Sequence, residues 1–512
     1  MGWEMVTVGP PFRGVDVTNN PMSFPPGLTD DALNVDGDGL RVAKRYGVSK
    51  QVSTAMSGPI YELAFVSPAV STNTSFFLLA LYKHPSGGGG NGIGRAVYRP
   101  GTPDFTDGGL IGAMTDASMI GTLHAGHGNA VMVSGPLSFG ANARYFQYAS
   151  ATAVGVLSYA GAGVFAKSDV MAYHRLCMFT GRHNFASQSS RLHYSLPDAP
   201  HLYPLNQWVD AQNLGRYPSI IGLRAAGDIL YAGGTHGIFP VTGATPETFK
   251  MHRSNADFGF GGSKSADSLR GVLYGIAARL HSDAKEIPFD LFTASGLEAK
   301  RIGEPVRSLI LNTGAETYFD AKSEAWTWRD AMLFLPRRAG ASAAARDMIY
   351  FHQPSGSFWR WTLPSGVSPN CLEGDLSQMW MGCQDGRVRY FDSAAANDDG
   401  TTFSSYWTSG PIVHKEGRKQ QLRRVLVWGK QTSGGSVSFS VAADSTSYAA
   451  PAETSVATFA LPTTDTHVPV VLDLPDQYAE AYVNRLKFEF AATAVGAEIH
   501  RIQAYLTVGD YV

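Results

Sequence analysis

Asn34, Asp36, Asp38 and Gly39 stand in the run NVDGDG at the spacing of the first half of a calcium-binding loop. Such a loop takes oxygen ligands at alternate positions and a glycine at the sharp turn, and its chemistry is cation coordination by carboxylates. The second half of the pattern fails. Arg45 falls where the loop needs its bidentate glutamate, and Pro25, Pro26 and Gly27 exclude the helix that should lead in. Asp36-Gly37-Asp38-Gly39 reads better as a tight turn, because glycine accepts positive φ and aspartate bonds its own backbone. The turn would join an extended arm to the short strand LRVAKRYG.

The remaining candidate chemistries are weaker. GGGGNGIG (87–94) has the glycines of a phosphate loop without the GKS/T ending, and reads as a hairpin tip. GFGGSKS (259–265) comes closer, but Ser263 stands where a Walker A motif has glycine before Lys264. DFG (257–259) has no companion HRD loop. His124, His127, His174, His183, His193 and His201 are the leading metal candidates, yet their spacing fits no structural zinc pattern. No G-x-S-x-G elbow supplies a nucleophile, and the acid pairs Asp30-Asp31 and Asp398-Asp399 read as solvated turn caps. Two separated carboxylates in a central channel, which a propeller glycosidase needs, cannot be placed from sequence. His414–Lys419 with Arg423 and Arg424 form the one basic concentration, either a hairpin with cationic edges or a contact for phosphate or an acidic partner. Trp326, Trp328, Trp359 and Trp361 alternate as buried strand aromatics do, or as a sugar-stacking surface would. No catalytic, cofactor-binding or metal residue is assigned, no cofactor is expected, and the chain reads as a non-enzyme.

The elements that would carry these residues are short strands. From about residue 58, groups of roughly four strand candidates recur every 35–55 residues or so, the rhythm of propeller blades. PIYELAFVS, SFFLLALY, RAVYRP and LIGAM form one such group; DVMAYHRLCMFTG, RLHYSL and NQWVDA belong to another. After residue 395 the texture changes to longer strands with period-two alternation, such as RRVLVWGK and NRLKFEFAA. The expected fold is all-β: an extended arm over 1–50, a six- or seven-bladed β-propeller over 51–395 and a β-sandwich over 396–512. TDDALNV and SEAWTWRDAM are the only stretches with a helical turn in prospect.

Composition agrees. Of 512 residues 44% are hydrophobic, 16% charged and 56 are glycine, which favours many strands and tight turns. A formal charge of −2 gives no global field for nucleic acid. Cys177, Cys371 and Cys383 are too few and too scattered for a disulfide framework. The first ten residues lack a signal peptide's basic start and apolar core, and no run of about 18 apolar residues spans a membrane.

The leader GVDVTNNPMSFPPGLTDDALNVDGDGLRVAKRYG resembles the start of bacteriophage tail β-propeller proteins, including the tail nozzle or packaged-DNA stabilisation proteins of short-tailed phages. Gly14, Asp16, Pro21, Pro25–Gly27, Ala32, Asn34, Val35, Gly39–Arg41, Arg45 and Gly47 carry the likeness. It continues through residues 176–208, 219–243, 357–392 and 408–429, with Pro240 and the glycine tip at 87–94 as departures. The resemblance implies a structural virion protein made in the bacterial cytoplasm and located in the tail. Its copies would form a hexameric ring below portal and adaptor, touching tail fibre or tailspike proteins. Packaged DNA would be retained and then conducted without sequence-specific binding, and no membrane is involved. A near-neutral charge suits a conduit, since a basic lumen would hold phosphates. The alternative is a propeller glycan-active enzyme or glycan-binding module.

Overall fold

The computed structural model describes residues 3–17, 24–29, 31–51, 54–66, 77–84, 92–98, 106–113, 122–126, 130–134, 144–148, 154–157, 168–183, 189–199, 202–204, 206–211, 214, 219–234, 236–278, 289–307, 309, 323–336, 347–374, 377–413, 419–433, 435–444, 453–465, 467–475 and 481–508. The chain is all-β. Helical structure among the described residues amounts to single turns such as Pro246–Thr248 and Glu304–Val306. No helix among them is long and apolar enough to cross a membrane.

Among the described residues, seven antiparallel sheets, six of four strands and the fifth of five, follow one another from Ile60 to Asp392. Their first strands are Ile60–Val66, Thr122–Gly126, Ser168–His174, Ile220–Ala226, Ala266–Leu269, Glu324–Trp328 and Pro369–Gly374. These lie side by side in chain order, and Pro369–Gly374 also lies against Ile60–Val66. The fourth strand of the seventh sheet comes from the leader: Gly47–Lys50 pairs antiparallel with Val388–Asp392.

Apolar layers join neighbouring sheets. Ile60, Leu63 and Leu78 of the first pack with Cys371 and Trp380 of the seventh, and Trp326 and Trp361 of the sixth pack with Leu372 and Met381. Strands inside such a stack are covered on both faces, which is why AMLFL (331–335) and MWMGC (379–383) are buried at every position. Their runs are continuously apolar for that reason.

Two further six-stranded sheets face each other across one core. In the first, Gln420–Lys430 lies between Val470–Asp473 and Glu498–Val508; in the second, Val483–Phe490 lies between Ser405–Thr408 and Val437–Asp444. Leu422, Val425, Ile502 and Leu506 meet Phe439, Leu486 and Phe488 inside. Alternate burial along these strands matches a sheet with one wet face.

The leader is shared among these sheets. Trp3–Gly9 adds to Glu498–Val508, Ala32–Leu33 pairs with Ser405–Thr408, and the hairpin Val35–Gly37/Val42–Lys44 extends the first sheet of the pair. Neither expected helical turn forms. Ala32–Leu33 is captured by Tyr406 and Trp407, and Glu324–Trp328 is a fully buried strand. In EAWTW the aromatic and β-branched residues suit a pleated surface, and the neighbouring sheets cover both faces. Pro240 is accommodated in the strand Ile238–Thr242, opposite Tyr231.

Candidate functional site

The NVDGDG run is the turn of a β-hairpin. Asp38 Oδ1 accepts from the backbone N–H groups of Leu40 (2.9 Å) and Arg41 (3.1 Å), and Gly39 takes φ +88°. Asn34 has φ +54°, and its side chain bridges three parts of the chain. Its Nδ2 donates to the Ser404 carbonyl (2.8 Å), while its Oδ1 accepts from Thr362 N (2.7 Å) and Arg45 Nε (3.0 Å).

Arg45, which breaks the calcium pattern, is the centre of a clasp. Its guanidinium donates to both oxygens of Asp398, at 2.9 and 2.5 Å, and both side chains are fully buried. It also donates to the carbonyls of Tyr46 (2.8 Å) and Thr362 (3.2 Å) and lies 3.9 Å from the centre of the Phe403 ring. Lys44 beside it donates to the carbonyls of Ala396, Ala491 and Ala492. Burial, then the charge of Arg45, pulls the Lys44 ammonium down to about 8. Asp398 thus caps no solvated turn; it neutralises a cation that fastens the leader to both groups of sheets. Its neighbour Asp399 pairs with Lys50 (2.7 Å) and Arg389 (2.8 Å). The glycines of the leader serve the same contact. Gly14 has φ +85°, and a Cβ there would sit 2.6 Å from the Phe358 carbonyl oxygen.

A second charged centre lies on the first strands of the stacked sheets. Lys264, from the GFGGSKS run, is buried in an ion pair with Glu62, and Glu324 and Glu373 add to the negative potential around it. Those carboxylates hold the Lys264 ammonium above its usual range against the opposing effect of burial. Glu373 is pushed up to about 8 by burial, with Lys264 and Arg224 opposing. Glu324 Oε2 accepts from Leu372 N (2.6 Å); Asp267 accepts from Arg224 Nε (2.7 Å) and Thr327 N (2.7 Å). Arg224 also lies 4.7 Å from the centre of the Trp326 ring. The cluster ties the first, fourth, fifth, sixth and seventh sheets together and fills the space between their first strands with paired charge. Of these charged residues the sequence pattern singled out only Lys264, and that as part of a phosphate-loop-like run. The available signal was one charged residue set in an otherwise apolar first strand, as in IYELAFV and IIGLRAA.

The remaining sequence candidates disperse. Of the six candidate histidines, only His174 and His193 have described side chains; both are buried, and burial pulls His174 down to about 4. The strands Thr122–Gly126 and Cys177–His183 carry His124 and His183, whose side chains lie outside the described residues, as do His127 and His201. No group of three potential metal ligands occurs among the described residues. Residues 87–91 and 414–418 also lie outside them. Arg423 and Arg424 are on a central strand, so edge protection is not their role: Arg424 pairs with Asp473 (2.5 Å) and Arg423 Nε donates to Thr507 (3.2 Å). Asp257 of the DFG run pairs with Arg301 (3.5 Å). Trp326, Trp328, Trp359 and Trp361 are all buried, and Trp361 stacks on Tyr350 at 4.8 Å. The three cysteines are free and buried, and burial raises all three thiols.

No protein-family model matches the chain, and no curated protein matches it. Among solved structures it is similar to the computationally designed Ika8 protein, with a TM-score of 0.36 and 10% identity over 67% of this chain and 99% of that one. It is also similar to YjhT, with a TM-score of 0.37 and 11% identity over 60% of this chain and 98% of that one.

Proposed function

We propose that the chain is a structural subunit of a bacteriophage tail, akin to the tail nozzle proteins of short-tailed phages. In this reading the seven sheets are the blades of a β-propeller, and Gly47–Lys50 supplies the last strand of the seventh blade. The facing pair of sheets is a C-terminal β-sandwich. Copies associate as a ring, six in number by the resemblance, below portal and adaptor.

The observation that carries the proposal is the use made of the leader. The residues that resemble the phage tail proteins are those that fasten the chain to itself: Asn34 and Arg45 in the clasp, Ala32 in a strand pair and Gly14 against Phe358. Their contacts join distant parts of the chain, which is mechanical work. Paired charge between the first strands supports the same role, because a conduit subunit must resist distortion and its own axis need not be open. DNA would pass through the lumen enclosed by the ring. The axial carboxylates are buried and already bonded, which favours cohesion over the glycan-active alternative.

Light scattering of the purified full-length chain, alone and with a portal–adaptor complex, tests the proposal together with electron microscopy. A closed ring with an axial lumen wide enough for duplex DNA is expected. A chain that stays monomeric in both conditions refutes it, as does robust turnover of a glycan that ceases on Glu373→Gln.

A further inference from the structure

The hairpin of the leader roofs a cavity of about 790 Å³, a size typical of small-molecule sites. Tyr46 lines it from the leader, Arg329, Tyr350 and His352 from the stacked sheets, and Lys430 and Glu498 from the facing pair. Two polar groups on its wall lack partners among the described residues. The Asp36 carboxyl makes no hydrogen bond there, although Arg41 and Arg329 are close enough to act on it electrostatically. The Tyr350 hydroxyl makes none either, while stacking on buried Trp361 fixes its ring.

The charges of the wall balance. Four cations (Arg41, Lys44, Arg329 and Lys430) face four carboxylates (Asp36, Asp38, Asp330 and Glu498). Arg41 is held by Asp38 and Glu498, Lys430 by Glu498, and Asp330 by Arg270. Arg329 gives one N–H to the Tyr46 hydroxyl (2.7 Å) and has no carboxylate of its own, leaving further donors. An anion would meet Asp36, Asp38 and Glu498; a cation would meet Arg41 and Arg329. An apolar ligand would leave Asp36 and Tyr350 dry and unbonded, which is costly. A hydroxyl group both donates and accepts, and matches the open acceptor, the open hydroxyl and the spare guanidinium donors together.

We propose that this cavity is a binding site for a neutral polyhydroxylated molecule, a mono- or disaccharide. Asp36 accepts from its hydroxyls, and Tyr350 and Arg329 donate to them. The proposal does not rest on the tail reading and stands or falls independently of it.

Calorimetry and saturation-transfer NMR on the full-length chain test it. The probes are glucose, galactose, N-acetylglucosamine, maltose and lactose, with inorganic phosphate and putrescine as charged comparators. At least one sugar is expected to bind below about 1 mM. Tyr350→Phe, which removes one well-placed bond, and Asp36→Asn, which replaces a carboxylate acceptor by a weaker neutral one, are each expected to weaken it about tenfold. Tyr350→Phe removes a single oxygen and decides the matter if Asp36→Asn misfolds. No sugar binding at about 10 mM overturns the proposal. So does binding that both variants leave unchanged, or phosphate or putrescine binding more tightly than every sugar.

Discussion

Replacing Asp398 by alanine tests the clasp where it is most exposed to failure. The change removes the only carboxylate bonded to Arg45 among the described residues and leaves a fully buried guanidinium with three neutral acceptors: Asn34 Oδ1 and the carbonyls of Tyr46 and Thr362. Breaking one side of a buried pair costs about 3–5 kcal/mol, because the surviving charge is desolvated and uncompensated. The pair as a whole is worth much less, since burying both ions opposes their attraction. The double replacement Arg45→Met with Asp398→Leu is therefore expected to recover most of the loss, with a coupling of about 1–3 kcal/mol. Urea unfolding followed by tryptophan fluorescence and far-UV circular dichroism measures both. Buried Trp361 reports on the stacked sheets and Trp407 on the facing pair. In the native chain the two should unfold together, and in Asp398→Ala their transitions should separate. A cost below about 1 kcal/mol, the worth of an exposed ion pair, refutes the account of the clasp.

The Asp36 carboxyl is raised to about 7, chiefly by burial. The folded chain thus holds this proton more tightly than the unfolded one, and stability should fall as pH rises from about 4 to about 7, by up to about 4 kcal/mol. Asp36→Asn should flatten that slope in thermal melts recorded across the window; an unchanged slope counts against it. Lys264→Met strips Glu62, Glu324 and Glu373 of the cation they share and is expected to cost about 3–5 kcal/mol at neutral pH in chemical denaturation. Restoring the balance with Glu62→Gln should recover part of this. Deleting residues 1–9 uncovers the edge of Glu498–Val508 and removes buried Val8. Light scattering should then show concentration-dependent association through the open edge, and a stable monodisperse chain would count against an edge-covering role for Trp3–Gly9.

Strand content and grouping were legible in the sequence because both are local. PIYELAFVS, SFFLLALY, RAVYRP and LIGAM became the four strands of the first sheet, and the change to alternation after residue 395 marked strands with one wet face. The hairpin turn in NVDGDG was also legible, since glycine and aspartate determine turn geometry over four residues. Partnership was not legible. Nothing local distinguishes Arg45, which ends 353 residues away against Asp398, from an exposed arginine. The same holds for Lys264, whose ammonium donates to the Leu63 carbonyl 201 residues away and pairs with Glu62 where the first strands meet. EAWTW, expected as a helical turn, became a strand because Ala331–Leu335 of its own sheet offered a ladder on one edge and the neighbouring sheets gave apolar cover on both faces. Periodicity and turn chemistry act within a few residues of the chain. Charge pairing, cavity walls and the capture of the leader depend on which distant segments meet, and only the packed tertiary structure decides that.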